Sequence, residues 1–229
     1  MLPLPRTPHA VVFDLDGVLL DTTENMRCAF AAVWHAAGRR APLPMHEFLS
    51  HMGAPLTTIL AVFDLSPAYV PIYSAASTAR ADLIHPCAGA AELLRTLRDV
   101  GMPTAVATGK SRARALEALD SGGLGGLVDV VVGSDEVTHP KPAPDILLTA
   151  LSRITCSTEP AAAVFVGDSV LDLRCGRAAG VPTVAAGWGQ SSPGTLLAES
   201  PDAYAERALD LMTLLVPQAE RTADIVRSR

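Results

Sequence analysis

Residues 10–20 read AVVFDLDGVLL, an apolar run that breaks into Asp14, Asp16 and Gly17 before apolar character resumes. A short continuous apolar run is the pattern of a strand buried on both faces, and its break into acidic residues and a glycine marks the loop at the strand's carboxyl end. The same event recurs along the chain. Residues 103–108 (PTAVAT) end at Gly109, residues 128–132 at Gly133-Ser134-Asp135, and residues 163–166 at Gly167-Asp168, while residues 181–185 are a fifth candidate strand. Helical patterns lie between them. Leu93, Leu94, Leu97 and Val100 share one face, as do Leu116 and Leu119, and residues 171–179 read as a helix closed by Gly180. Alternating strands and helices predict an α/β fold, a parallel sheet covered on both faces in the Rossmann-like manner. In such sheets ligands bind beyond the carboxyl ends of the strands, where the polar residues just named collect.

Residues 22–85 break the alternation. They hold no convincing strand; Met26, Phe30, Val33, Trp34 and Ala37 follow helical spacing, and prolines at 42, 44, 55, 67 and 71 cut the remainder into short helices. Asp21 with Glu24 three positions on predicts a capping box for the first of them. The expected organisation is therefore a core of residues 1–21 and 86–229 with an inserted helical subdomain, 22–85, hanging over the strand ends as a lid.

Composition narrows the function. At 229 residues the chain is long enough to bury about 70% of its unfolded surface, and 49% apolar content excludes intrinsic disorder. A net charge of −6 and an aromatic share of 4% offer neither the basic footprint nor the stacking platform of a nucleic-acid binder. No apolar run approaches the ~20 residues of a membrane span; stretches such as residues 161–166 and 211–216 are far shorter. The N-terminal MLPLPRTPHA lacks the apolar segment of a secretory leader, so the expected location is cytoplasmic. Cys28, Cys87, Cys156 and Cys175 form no CxxC and are expected to be reduced and buried rather than zinc ligands.

The candidate chemistry sits at the strand ends. Asp14 and Asp16, brought together by a turn at Gly17, would repel each other and attract a hard divalent cation such as Mg²⁺, and an aspartate can attack phosphorus directly. A solvated Asx turn would use the same residues. Gly167-Asp168-Ser169-Val170-Leu171-Asp172 repeats the strand, glycine, aspartate order, so that Asp168 can join Asp14 at a metal while Asp172, one turn on, orients its waters or simply favours the helix N-terminus. Thr108-Gly109-Lys110-Ser111 passes from a strand into a helix, with amide donors and a hydroxyl suited to phosphate. Lys141 lies among three prolines in His139-Pro140-Lys141-Pro142-Ala143-Pro144-Asp145, a frame that suits a cation required to meet a charge, although a lone loop lysine is also a common surface residue.

These four motifs in this order resemble the haloacid dehalogenase superfamily, over nearly the whole chain, and the insertion after the first motif resembles the helical cap of its subclass I. The resemblance implies Asp14 as nucleophile, Asp16 as general acid and then base, Thr108 and Lys141 on the transferring phosphoryl group, and Mg²⁺ held by Asp14, the Asp16 carbonyl and Asp168, with Asp172 beside them. An acid two residues after the nucleophile favours phosphate esters over halides, because a departing alkoxide needs a proton. The expected activity is Mg²⁺-dependent hydrolysis of a small phosphorylated metabolite by a monomer or homodimer; the alternatives are a sugar phosphomutase, which Val18 in place of the usual Thr favours, and a vestigial metal-binding module. Gly17, Gly109, Lys110, Arg27, His51 and Gly53 are the candidate substrate contacts, His51 also suiting a helix end, and Gly109 departs from the Asn frequent in relatives. Within the superfamily, AVATGKSRARALEAL (105–119) and GSDEVTHPKPAPDI (133–146) look like the phosphatases associated with 3-amino-5-hydroxybenzoate synthesis, and phosphoglycolate phosphatase is the other look-alike.

Overall fold

The structure is a computed structural model that describes residues 8–154 and 159–215; Cys156, Val216 and the N-terminal residues 1–7 weighed above as a leader lie outside them. In chain order the elements are β1 (Ala10–Phe13), β2 (Leu20–Asp21), α1 (Thr23–Ala36), α2 (Met45–Ser50), α3 (Leu56–Val62), α4 (Val70–Ala79), β3 (His85–Pro86), α5 (Ala90–Asp99), β4 (Thr104–Thr108), α6 (Arg112–Ser121), β5 (Val130–Gly133), α7 (Asp145–Ile154), β6 (Ala163–Gly167), α8 (Val170–Ala179), β7 (Thr183–Ala186), α9 (Pro193–Ala198), β8 (Ala203–Ala205) and α10 (Leu211–Leu215). Six strands form one parallel sheet in the order β5-β4-β1-β6-β7-β8. β1 lies between β4 and β6, so successive connections diverge on its two sides and open a crevice at the strand ends.

Successive side chains of a strand face opposite ways. In β1, Val11 and Phe13 join the core that includes Leu93, Leu94 and Leu97 of α5, while Ala10 and Val12 join Ile146, Leu147 and Ala150 of α7 on the other face. Both faces are thus sealed, and polar chemistry is confined to the rim. All five expected strands form, within one or two residues of the expected bounds. The short β8 follows Pro201-Asp202, and its three residues are too few to announce a strand by pattern. On α6 the buried residues are Ala115, Ala118 and Leu119, whereas Leu116 is exposed: a three-residue spacing put it on the edge of the face rather than within it.

The cap region, α1 to α4, has its own core around Phe30, Phe48, Phe63 and Tyr73, with the Phe30 and Phe48 rings stacked at 4.4 Å between centroids. It is joined to the sheet through a two-stranded antiparallel ribbon, Leu20 opposite Pro86 and Asp21 opposite His85, which fixes where the chain leaves and returns. Buried Asn25 closes the region by donating to the carbonyls of Ser77 and Arg80 at 2.8 Å each. The expected capping box is absent. Thr22 occupies the N-cap, Asp21 accepts from the Thr23 N–H at 3.1 Å, and Glu24 is drawn instead to Arg27, whose guanidinium offers two charged donors. Cys28 and Cys87 are half-buried, Cys175 is buried, and all three are free. Among the described residues no helix is long and apolar enough to cross a membrane.

Candidate active site

Four strand ends meet at one crevice. Asp14 and Asp16 follow β1, Thr108 ends β4, Asp168 follows β6, and Lys141 enters from the segment between β5 and α7. Gly17 turns the first loop with φ +80°, a left-handed conformation that costs glycine little, and any Cβ there would collide with the Asp168 carboxylate. All five of the polar side chains named are buried. Carboxylate oxygens of Asp14, Asp168 and Asp172 lie within 4.8 Å of one another. Lys141 Nζ donates to Asp14 Oδ1 and to Asp172 Oδ1, each at 2.6 Å, and its side chain is 0% exposed.

Asp172 caps the helix N-terminus, one of its two expected roles, and also meets Lys141, a partner that the sequence does not announce. Its Oδ1 takes Lys141, and its Oδ2 accepts from the Ser169 hydroxyl (2.6 Å) and N–H (3.1 Å), closing a capping box on α8. With both oxygens engaged it is an anchor for Lys141 first. Asp168 accepts the Gln190 N–H at 2.7 Å and pairs with no cation among the described residues. The Asp16 carboxylate stands outside the triad: Lys110 Nζ pairs with its Oδ2 and the Thr22 hydroxyl donates to its Oδ1, while the metal ligand expected of this residue is its backbone carbonyl.

Charge follows from this arrangement. Burial, reinforced by Asp172 and Asp16 and opposed by Lys141, pushes the Asp14 carboxyl from 3.8 up to about 7. Burial with the Asp14 and Asp172 charges raises Asp168 well above its ordinary value. Burial also works against ionised Asp16, but the Lys110 ammonium and the hydrogen bonds from Lys110 and Thr22 outweigh it and hold that carboxyl low. Lys141 is the reverse case, since burial works against its charge while Asp14 and Asp172 hold the proton on. Three buried carboxylates thus cluster with one lysine, which two of them hold, an oxygen-only donor set with surplus negative charge, which is what a hard divalent cation complements.

A cavity of about 430 Å³ opens over Asp14, Asp16 and Thr108 and is walled by the cap. Gly53, Gly109 and Lys110 line it, whereas Gly17 does not. Gly109 has a steric reason. A Cβ there would come within 2.5 Å of the Gly53 carbonyl oxygen and 2.6 Å of that of Ala54, so the cap loop rests directly on the segment after β4, where an Asn side chain would hold it off. Neither Arg27 nor His51 lines the cavity. Arg27 pairs with Glu24 on an exposed face, and His51 caps the end of α2, so the helical geometry that made each a candidate points it elsewhere. The sequence reading missed Arg114, which lines the cavity four residues beyond Lys110, and Gln190, whose side chain donates to Thr23 Oγ1 at 2.6 Å. Spacing from Lys110 could have flagged Arg114. Nothing local marks Gln190. Val18 is buried in the sheet core.

A parallel sheet whose strand ends carry buried carboxylates and lysines under a helical roof defines an α/β enzyme built to act on an anionic substrate. The family description haloacid dehalogenase-like hydrolase matches residues 11–186. The chain is 31% identical to the pyrophosphatase PpaX of Bacillus velezensis over 208 residues, covering 89% of this chain and 94% of that protein. It is also 31% identical to the phosphoglycolate phosphatase of Xylella fastidiosa over 195 residues, 81% and 82% of the two. The haloacid dehalogenase-like protein SP0104 of Streptococcus pneumoniae superposes with a TM-score of 0.77 at 25% identity, covering 90% of this chain and 98% of its own. The chain belongs to the haloacid dehalogenase-like hydrolases and is a phosphoric monoester hydrolase.

Proposed function

We propose that the chain hydrolyses a small phosphate monoester in the cytoplasm through an aspartyl phosphate on Asp14. The observation that carries this is the position of Asp14: at the end of the central strand, facing the cavity, with one oxygen fixed by Lys141. An Asp14 oxygen attacks phosphorus and the bond from phosphorus to the ester oxygen breaks. The departing oxygen takes a proton from the Lys110 ammonium, passed through the ionised Asp16 carboxylate it is hydrogen-bonded to; burial outweighs the Asp16 charge and makes Lys110 a weaker base than an ordinary lysine, so it releases that proton more readily. Asp16 then takes a proton from water as the water oxygen attacks phosphorus and returns it to Lys110, which frees inorganic phosphate and restores Asp14 and the ion pair. Lys141 and the Thr108 hydroxyl meet the phosphoryl oxygens. Mg²⁺, held by Asp14 and Asp168 with Asp172 behind them, supplies charge neutralisation when bound.

Hydrolysis is favoured over a mutase by where the cap's cations go. Arg27 pairs with Glu24, Arg80 with Asp82, and Arg39 donates to the Phe63 carbonyl, so no arginine of residues 22–85 lines the cavity to hold a second phosphate. Hexose phosphates incubated with enzyme and Mg²⁺ are expected to release inorganic phosphate at a rate indifferent to added sugar bisphosphate. Isomerisation without release, dependent on a bisphosphate primer, overturns the phosphatase reading.

The acidic cluster sets a pH dependence in the metal-free protein. Groups whose carboxyl values are raised on folding favour the folded state while protonated, and that contribution is lost as pH rises through the folded value. With Asp14 at about 7 and Asp168 also raised, the melting temperature in EDTA is expected to fall between pH 4 and pH 7. Mg²⁺ should raise it and flatten the fall, because a ligand of the folded state stabilises by mass action. A metal-free melting temperature that holds level or climbs across that window contradicts the assignment.

A further inference from the structure

Two cations line the cavity, Lys110 and Arg114. Lys110 is committed to Asp16. Arg114, at the start of α6, stands with its guanidinium 5.0 Å from the centroid of the Tyr73 ring of α4 and donates to Ser77 Oγ at 3.3 Å. It forms no ion pair among the described residues, whereas the cap arginines Arg27 and Arg80 each pair with a carboxylate. A guanidinium carries five donors in a planar fork, and the ring and the hydroxyl occupy only part of it. Stacking on Tyr73 fixes the plane of the fork without neutralising its charge. The wall contributed by the cap is mostly apolar, with Met26, Phe48, Met52, Ile59 and Tyr73 in it and Thr57 and Thr58 as its hydroxyls.

We propose that Arg114 determines specificity by binding a carboxylate on the alcohol portion of the substrate, so that the enzyme prefers phosphate monoesters of apolar alcohols or phenols that bear a carboxylate. This rests on the phosphatase reading and adds to it the class of leaving group. One unpaired cation matches one negative charge, and the planar fork matches a planar carboxylate in two parallel hydrogen bonds. A second phosphate would bring up to two charges to a cavity whose lining includes the acidic Asp14, Asp16 and Asp135 and, besides Arg114, only Lys110 as a cation among the described residues, already paired with Asp16. The apolar wall covers the hydrocarbon between the two anionic ends, and the area it removes from water favours binding without further polar contacts.

The test compares kcat/KM for 4-carboxyphenyl phosphate with that for its neutral isostere, 4-carbamoylphenyl phosphate, both with Mg²⁺, in wild type, Arg114→Gln and Arg114→Lys. Wild type is expected to prefer the carboxylate by roughly ten- to hundredfold, the range of a charged hydrogen-bonded contact. The preference should collapse toward unity in Arg114→Gln, chiefly through KM of the carboxylate ester, and survive in part in Arg114→Lys, which keeps the charge and loses the fork. An equal preference in wild type and Arg114→Gln, or none in wild type, overturns the assignment. A stronger wild-type preference for the ring carrying a second phosphate in place of the carboxylate also overturns it. If neither ester releases phosphate the phosphatase reading itself falls, whereas release from both without discrimination removes only the role of Arg114.

Discussion

Asp14→Asn is expected to lower kcat for phosphate release from an aryl phosphate by on the order of 10⁴ or more, the scale on which single members of a catalytic constellation fail. The amide keeps the shape of the side chain but is not a nucleophile toward phosphorus and is a poor ligand for a hard cation. Stability should move the other way. Asp14 is one of three clustered buried carboxylates, two of which hold Lys141, and removing its charge leaves Lys141 paired to Asp172 at 2.6 Å while relieving repulsion on Asp168. The melting temperature of Asp14→Asn in EDTA at pH 7 is therefore expected at or above that of wild type. Lost activity with retained or raised stability separates a catalytic aspartate from a structural one. A variant that keeps a tenth of the wild-type kcat takes Asp14 out of the nucleophile's role.

The frame of the sheet was legible because each buried strand ends abruptly in glycine and acid, a signal confined to a few residues and independent of distant contacts. Residues 10–13 and 163–167 announce themselves in this way, and Asp14 and Asp168 come with them. What was not legible depends on partners far along the chain. The hydroxyl of Thr22 reaches back to Asp16, Lys141 bridges two aspartates that are 127 and 31 residues away, and Gln190 meets Asp168 and Thr23. Arg27 failed as a cavity residue because the local i,i+3 pair with Glu24 competes for its charge on an exposed face, a contact present in the sequence and read instead as helix capping. The cap is the least legible part. Its prolines mark breaks, but which of the resulting faces looks down into the cavity is decided by packing around Phe30 and Phe48.

Lys141→Met is the substitution expected to cost the most in stability. The side chain is 0% exposed and supplies the only cation that Asp14 and Asp172 touch among the described residues, so truncation to an apolar chain of similar length leaves two carboxylates buried without a partner. Breaking a buried pair from one side costs about 3–5 kcal/mol, which in a protein of this size is roughly 6–20 °C in melting temperature. The loss should be greater at pH 8 than at pH 5. Without the lysine, which lowers Asp14, burial and the Asp172 and Asp16 charges act on that carboxyl unopposed and raise it further, so protonation relieves the strain in acid and ionisation restores it as pH rises. Mg²⁺ should recover part of the stability by replacing a missing positive charge, but not the rate, because kcat also loses a positioned donor to the transferring phosphoryl group, typically about 10²–10³. A Lys141→Met protein that melts within 2 °C of wild type at pH 8, by a scan sensitive to shifts of about that size, returns Lys141 to the solvated surface lysine that its loop alone suggested.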